Sequence, residues 1–289
     1  MNFSELVDQI KDKKTYLCVG LDSDINKIPD HLKKFDDPIF EFNKRIIDAT
    51  KDLVIAYKPN IAFYEAQGNK GLISLEKTLN YIPKNIFKIA DAKRGDIGNT
   101  SKMYAKSFFD ILNFDAITLS PYMGKDSSTP YLKYKNKWII LLALTSNNSS
   151  IDIQHFKSSD NKKLYEHIIE DSLNWSNNKN TMYVVGANRT SELKNIREII
   201  PDHFLLIPGV GTQGGKLKDI SFNSMNENCG IIVNVSRDII YSDNTDLFEE
   251  NIRERAKQYK NEMESILIQK GLVWIKNIKF YFFIVMQKL

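Results

Sequence analysis

Where an apolar run gives way to the stretch DAKRGDIGNT, residues 91–100, four charged side chains fall within six positions. Asp91, Lys93, Arg94 and Asp96 carry acid, base, base and acid in that order. Asp91 and Lys93 are two apart, so on a strand their side chains point the same way. An ammonium held beside a carboxylate at a strand's end suits proton transfer and the stabilisation of developing negative charge. Lys58 ends an earlier apolar run and can join the pair, while Asp96 lies beyond the strand and can turn elsewhere. The alternative is a surface ion-pair cluster, which contributes little energetically.

A second signal is PGVGTQGG, Pro208 to Gly215, which contains a formal GxGxxG. A dinucleotide fold puts that turn after its first strand, with an acid about 20 residues on. Here it follows the seventh apolar run, so the dinucleotide reading is weak. Exposed backbone N–H groups in a Gly-rich turn still suit a phosphate. Arg237, which ends the eighth run, can supply a guanidinium fork to the same phosphate. The alternative for this turn is a tight connector.

Other chemistries find less support. The four histidines, His31, His155, His167 and His203, show no HxxxH or HxxEH spacing, so no metal site is expected. Ser120 and Ser146 lack an obvious histidine partner, which argues against a nucleophilic triad. Cys18 and Cys229 sit in apolar runs and read as small buried hydrophobes.

Elements able to position these groups recur along the chain. Eight apolar runs, at 16–22, 53–59, 86–93, 115–121, 138–146, 182–188, 204–211 and 230–237, each close on polar or Gly/Pro residues. They are continuous rather than alternating, as in strands covered by helices on one side and filled on the other. Helix-period segments lie between them, among them 37–51, 99–113, 162–176, 190–200 and 246–269. Asn99 and Thr100 read as a helix cap, as do Thr190 and Ser191. Eightfold alternation predicts an α/β single-domain (β/α)₈ TIM barrel over residues 1–270; an open doubly wound sheet is the alternative. Active sites of such barrels gather at the C-terminal ends of the strands. Those ends offer Asp22, Lys58, Asp91 with Lys93, Ser120, Thr145 with Ser146, Asn188, the glycine turn, and Ser236 with Arg237. The segment 271–289 is aromatic, apolar and basic, and reads as a C-terminal tail of open role.

Composition bounds the partners. The 289 residues are 42% hydrophobic and 26% charged, an ordinary globular balance. A net charge of +4 admits an anionic ligand without demanding nucleic acid. No apolar run reaches the ~18 residues of a membrane span. Two cysteines in a chain of this length give no disulfide framework, so a reducing, cytoplasmic setting is expected.

DAKRGDIGNT resembles the Asp-x-Lys-x-x-Asp signature of the orotidine 5′-phosphate decarboxylases. The order of LCVGLD, YKPNIAFYE, DAKRGDIGNT, LTSN, PGVGTQGG and VSR resembles the longer bacterial-type branch of that family, from about residue 17 to residue 241. The resemblance implies a metal-free, cofactor-free barrel homodimer with shared active sites. Lys58, Asp91, Lys93 and Asp96 would form the charged array, with Asp96 reaching across from the other subunit and Thr100 accompanying it toward the ribose. Asp22 would hold ribose hydroxyls, Ser146 the pyrimidine edge, and Pro208 would pack near the ring. Gln213, the neighbouring Gly209 and Gly214, and Arg237 would take the phosphate.

The implied reaction removes CO₂ from C6 of orotidine 5′-phosphate and yields UMP. Lys93 would stabilise the carbanion and donate the proton, with Asp91 against the departing carboxylate. Another phosphosugar barrel is the enzyme alternative, of the keto-gulonate phosphate decarboxylase or pentose phosphate epimerase type. A non-catalytic nucleotide-binding protein is the alternative from another class.

Overall fold

The computed structural model describes residues 1–211 and 216–274. Eight parallel strands close into a barrel in chain order. They are β1 (Leu17–Leu21), β2 (Ala56–Pro59), β3 (Phe87–Arg94), β4 (Ala116–Leu119), β5 (Trp138–Leu144), β6 (Thr181–Val185), β7 (Phe204–Pro208) and β8 (Ile231–Val235). Each falls within or within one residue of an apolar run read from the sequence. The closed sheet excludes the open doubly wound alternative. Strand residues are almost all buried, because helices cover the outer face and side chains fill the inner one.

The helices join this core through apolar stripes. Helix Pro38–Thr50 buries Ile39, Phe42, Ile46 and Ile47, and helix Phe248–Gln269 packs beside it to close the ring between β8 and β1. Arg45–Glu249 at 2.6 Å ties the two together, and Arg253 reaches Asp52, just past the first helix, at 2.8 Å. At the N-terminal ends of the strands, Phe3 packs on Trp138 and Phe204, with ring centroids 6.3 and 5.5 Å apart. Phe87 meets Trp138 edge-on. These rings fill the barrel's lower end and leave the chemistry to the upper one.

The expected helix caps are not those observed. Helix Gly98–Lys106 starts at the positive-φ Gly98, and helix Thr190–Ile199 starts after Arg189; neither start has a side-chain cap. Asn99, Thr100, Thr190 and Ser191 lie inside the first turns instead. Of the tail, residues 275–289 lie outside the described residues. Among the described residues no helix is long and apolar enough to cross a membrane.

Candidate active site

Lys58 lies one residue from the end of β2 with its side chain buried, and its Nζ donates to Asp91 Oδ2 at 2.6 Å. From the other side Lys93 Nζ donates to Asp91 Oδ1. One carboxylate therefore sits between two ammoniums. Burial alone would push the Asp91 pKa up, but Lys58 and Lys93 outweigh it and hold the carboxyl well below the usual range. Burial likewise pulls Lys58 down, while Asp91 and then Asp22 more than restore it, so its pKa stands raised. Lys58 and Asp91 thus stay ionised through neutral pH. They are nearly sealed from water, with side chains 4% and 12% exposed, whereas the Lys93 side chain is 52% exposed.

A break in the sheet produces this convergence. Pairing between β3 and β4 jumps from Ala90↔Ile117 to Arg94↔Leu119, so residues 91–93 face Thr118 alone. Lys93 takes φ +48°, a left-handed conformation that costs a non-glycine residue. The expectation of a regular strand here is corrected: a bulge, not a plain two-residue repeat, brings Asp91 and Lys93 together. Beyond it Arg94 donates to Ala92 O at 3.0 Å and to Glu65, and its guanidinium lies over Tyr104 and Phe108.

The array opens on a cavity of about 440 Å³. Lys58, Asp91, Lys93 and Thr118 line it, with Thr145, Ser146, Asn147 and Gln154 as further polar groups and Leu142, Val184, Leu206 and Pro208 as apolar ones. A larger hollow of about 810 Å³ between the loops after β1 and β8 carries mixed Lys and Asp side chains and none of the array. The loop bearing Ser146 is held by the segment after β6. Asn188 Nδ2 donates to Ser146 O at 2.8 Å, and Arg189 donates to Thr145 O, Asn147 O and Ser150 Oγ. The loop passes so close to the end of β6 that a Cβ at Gly186 would lie 2.7 Å from Ser146 Cα.

The other expected residues divide. Asp22 follows β1; the Tyr241 hydroxyl fixes its backbone, donating to Asp22 O at 2.9 Å. The buried Asp22 Oδ1 meets no hydrogen-bond donor among the described residues. Gly209 begins the glycine turn with φ +96°, and Arg237 opens the short helix Arg237–Ile240 just after β8. Gln213 and Gly214 lie outside the described residues. Asp96 accepts from Ile97 N at 2.8 Å, and Thr100 is exposed on the following helix. Within its own chain neither lines the cavity.

Sequence reasoning passed over Thr118, Gln154 and Arg189. Only Thr118 left a signal, as the polar residue in the strand AITL. Cys18 and Cys229 are buried, and burial pushes both thiols up to about 12, so neither is poised to react. Among the described residues no group of three or more His, Cys, Asp or Glu is placed to hold a metal ion.

Residues 15–247 match the model of the Orotidine 5′-phosphate decarboxylase / HUMPS family. The chain belongs to this family. It is 53% identical over 272 residues to an orotidine 5′-phosphate decarboxylase of Phocaeicola vulgatus, covering 93% of this chain and all of the relative. A Bacteroides fragilis protein of the same name is 54% identical over 266 residues, covering 91% of this chain and 97% of the relative. Among solved structures, OMP decarboxylase of Leishmania donovani superposes with a TM-score of 0.79 at 35% identity, covering 92% of this chain and 98% of that one. UMP synthase of the same organism gives 0.82 at 36% identity, covering 92% of this chain and 56% of that one.

Proposed function

We propose that the chain decarboxylates orotidine 5′-phosphate to UMP in pyrimidine synthesis, without a metal, through Lys58, Asp91, Lys93 and Asp96. The family model also spans HUMPS members, and the two relatives reported above, at 53% and 54% identity and both named orotidine 5′-phosphate decarboxylase, favour this substrate over a sugar phosphate. The observation that carries the mechanism is the single Asp91 carboxylate clamped between Lys58 and Lys93 at a cavity of about 440 Å³.

In the proposed step the C6–carboxylate bond breaks and its electron pair stays on C6. The Lys93 ammonium stabilises that charge and transfers a proton to C6, and solvent later reprotonates the amine. Asp91 lies against the substrate carboxylate and is relieved as neutral CO₂ departs. Asp22 takes ribose hydroxyls, Ser146 and Pro208 the base, and the glycine turn with Gln213 and Arg237 the phosphate. The whole acceleration needs on the order of 8–23 kcal/mol of barrier lowering, more than one ion pair supplies, so phosphate binding must also be realised in the transition state.

A cytoplasmic homodimer completes the reading, with Asp96 and Thr100 delivered to the other subunit's cavity. Ile97, Met103, Tyr122 and Met123 are exposed around the loop that bears Asp96, and they offer an apolar face for a second copy. The test is loss of orotate absorbance with purified protein and orotidine 5′-phosphate, with and without EDTA. Turnover that persists in EDTA is expected; no turnover, or turnover abolished by the chelator, refutes the proposal.

A further inference from the structure

At the β3 bulge the sheet offers too few acceptors. Residues 91–93 stand opposite one residue of β4, so the regular ladder does not serve the amides of Ala92 and Lys93. Both amides point instead at one side chain: Thr118 Oγ1 accepts from Ala92 N at 3.0 Å and from Lys93 N at 2.9 Å. The hydroxyl proton is then shared between Ala90 O and Asp91 Oδ1, each 3.4 Å away. Thr118 is 1% exposed, so water does not replace it. Unmade, the buried bond to Ala92 would carry a desolvation penalty, and the part-buried one to Lys93 a smaller one.

We infer that Thr118 is the positioning residue of the decarboxylation, an inference that rests on the reading of the site given above. Its hydroxyl takes the place of the missing ladder and holds the backbone of Lys93 in its left-handed conformation. It also touches the carboxylate that Lys93 must face. The serine hydroxyl has the same reach. Valine has the same shape but no acceptor, so two amides lose their partner and the backbone of Lys93 is free to relax toward an ordinary strand.

The experiment compares Thr118→Val and Thr118→Ser with the unsubstituted protein in three readouts: turnover of orotidine 5′-phosphate, affinity for UMP, and hydrogen exchange at the amides of 92 and 93. Thr118→Val is expected to lower kcat by about 10- to 100-fold, the cost of sub-ångström misplacement of a reacting group. UMP affinity should change far less, because the phosphate is held elsewhere, and the two amides should lose protection. Thr118→Ser should restore most of the rate and the protection. Thr118→Ala replaces the valine variant if that protein does not fold, with the same expectation. A valine or alanine variant with undiminished kcat overturns the inference. So does a serine variant as slow as the valine one, or a fall in UMP affinity as large as the fall in kcat. If the unsubstituted protein fails to turn over orotidine 5′-phosphate, the decarboxylase reading falls. The exchange data then decide the bulge alone, and unchanged protection in Thr118→Val refutes the role of the hydroxyl.

Discussion

Replacing Lys58 with methionine tests how much stability the array costs. Lys58 is 3% exposed and contacts Asp91 at 2.6 Å, so its removal leaves a buried carboxylate with one ammonium in place of two. Breaking a buried pair from one side destabilises by about 3–5 kcal/mol. Asp91 keeps its contact with the half-exposed Lys93, which places the expected loss near the lower end, at ~3 kcal/mol. The pH dependence follows from the two shifts. Asp91 is depressed, so its contribution is present above the unfolded carboxyl pKa of ~3.9 and is lost as pH falls through the folded value. Lys58 is raised, so its contribution is present below ~10.4 and is lost as pH rises through the folded value. Between those limits the pair's contribution to the native protein is flat. In Lys58→Met the Asp91 pKa climbs, and proton uptake then relieves the buried charge. The deficit should therefore shrink as pH falls from 8 to 5. Denaturant unfolding at fixed subunit concentration measures it. The double variant Lys58→Met, Asp91→Asn removes both charges and should recover most of the loss while remaining inactive. A single variant within ~1 kcal/mol of the native protein, or a double variant no more stable than the single, would refute the claim that the pair is desolvated.

Three further outcomes concern the chemistry. Lys93→Ala should lower turnover by about 10³-fold or more while UMP binding stays measurable; near-native turnover would remove the proton donor from the mechanism. Arg237→Ala should weaken UMP binding by about 1.5–3 kcal/mol, and an unchanged Kd in a direct titration would count against the phosphate assignment. Mixing inactive Lys93→Ala and Asp96→Ala subunits should restore part of the activity; no recovery, once subunit exchange is demonstrated, would mean that Asp96 acts within its own chain.

The barrel was legible because burial on both faces writes each strand as an unbroken apolar run, and all eight runs became strands. Strand ends then gave Lys58, Asp91 and Lys93 as neighbours, since parallel order puts those ends on one rim. Helix starts were less legible: Asn99 and Thr190 have the side chains of caps, but the backbone entry at Gly98 and Arg189 sets the boundary elsewhere. The bulge was invisible because a register shift depends on the partner strand as much as on β3 itself. Thr118, Gln154 and Arg189 escaped for a related reason. Thr118 and Arg189 act on segments far away in sequence, as Arg189 does on Thr145, Asn147 and Ser150, and Gln154 acts on the Thr145 amide nine residues back. Asp96 and Thr100 are nameable from their motif, yet one chain's own contacts do not bring them to the cavity.

The packed rings of Phe3, Trp138, Phe204 and Phe87 have a consequence for traffic. A plugged floor denies the barrel axis any use as a conduit. Under the proposed reaction, gas and nucleotide then share one doorway, and the small product must slip out past, or wait behind, the larger one. Under that reaction both products leave through the rim of the strands' C-terminal ends.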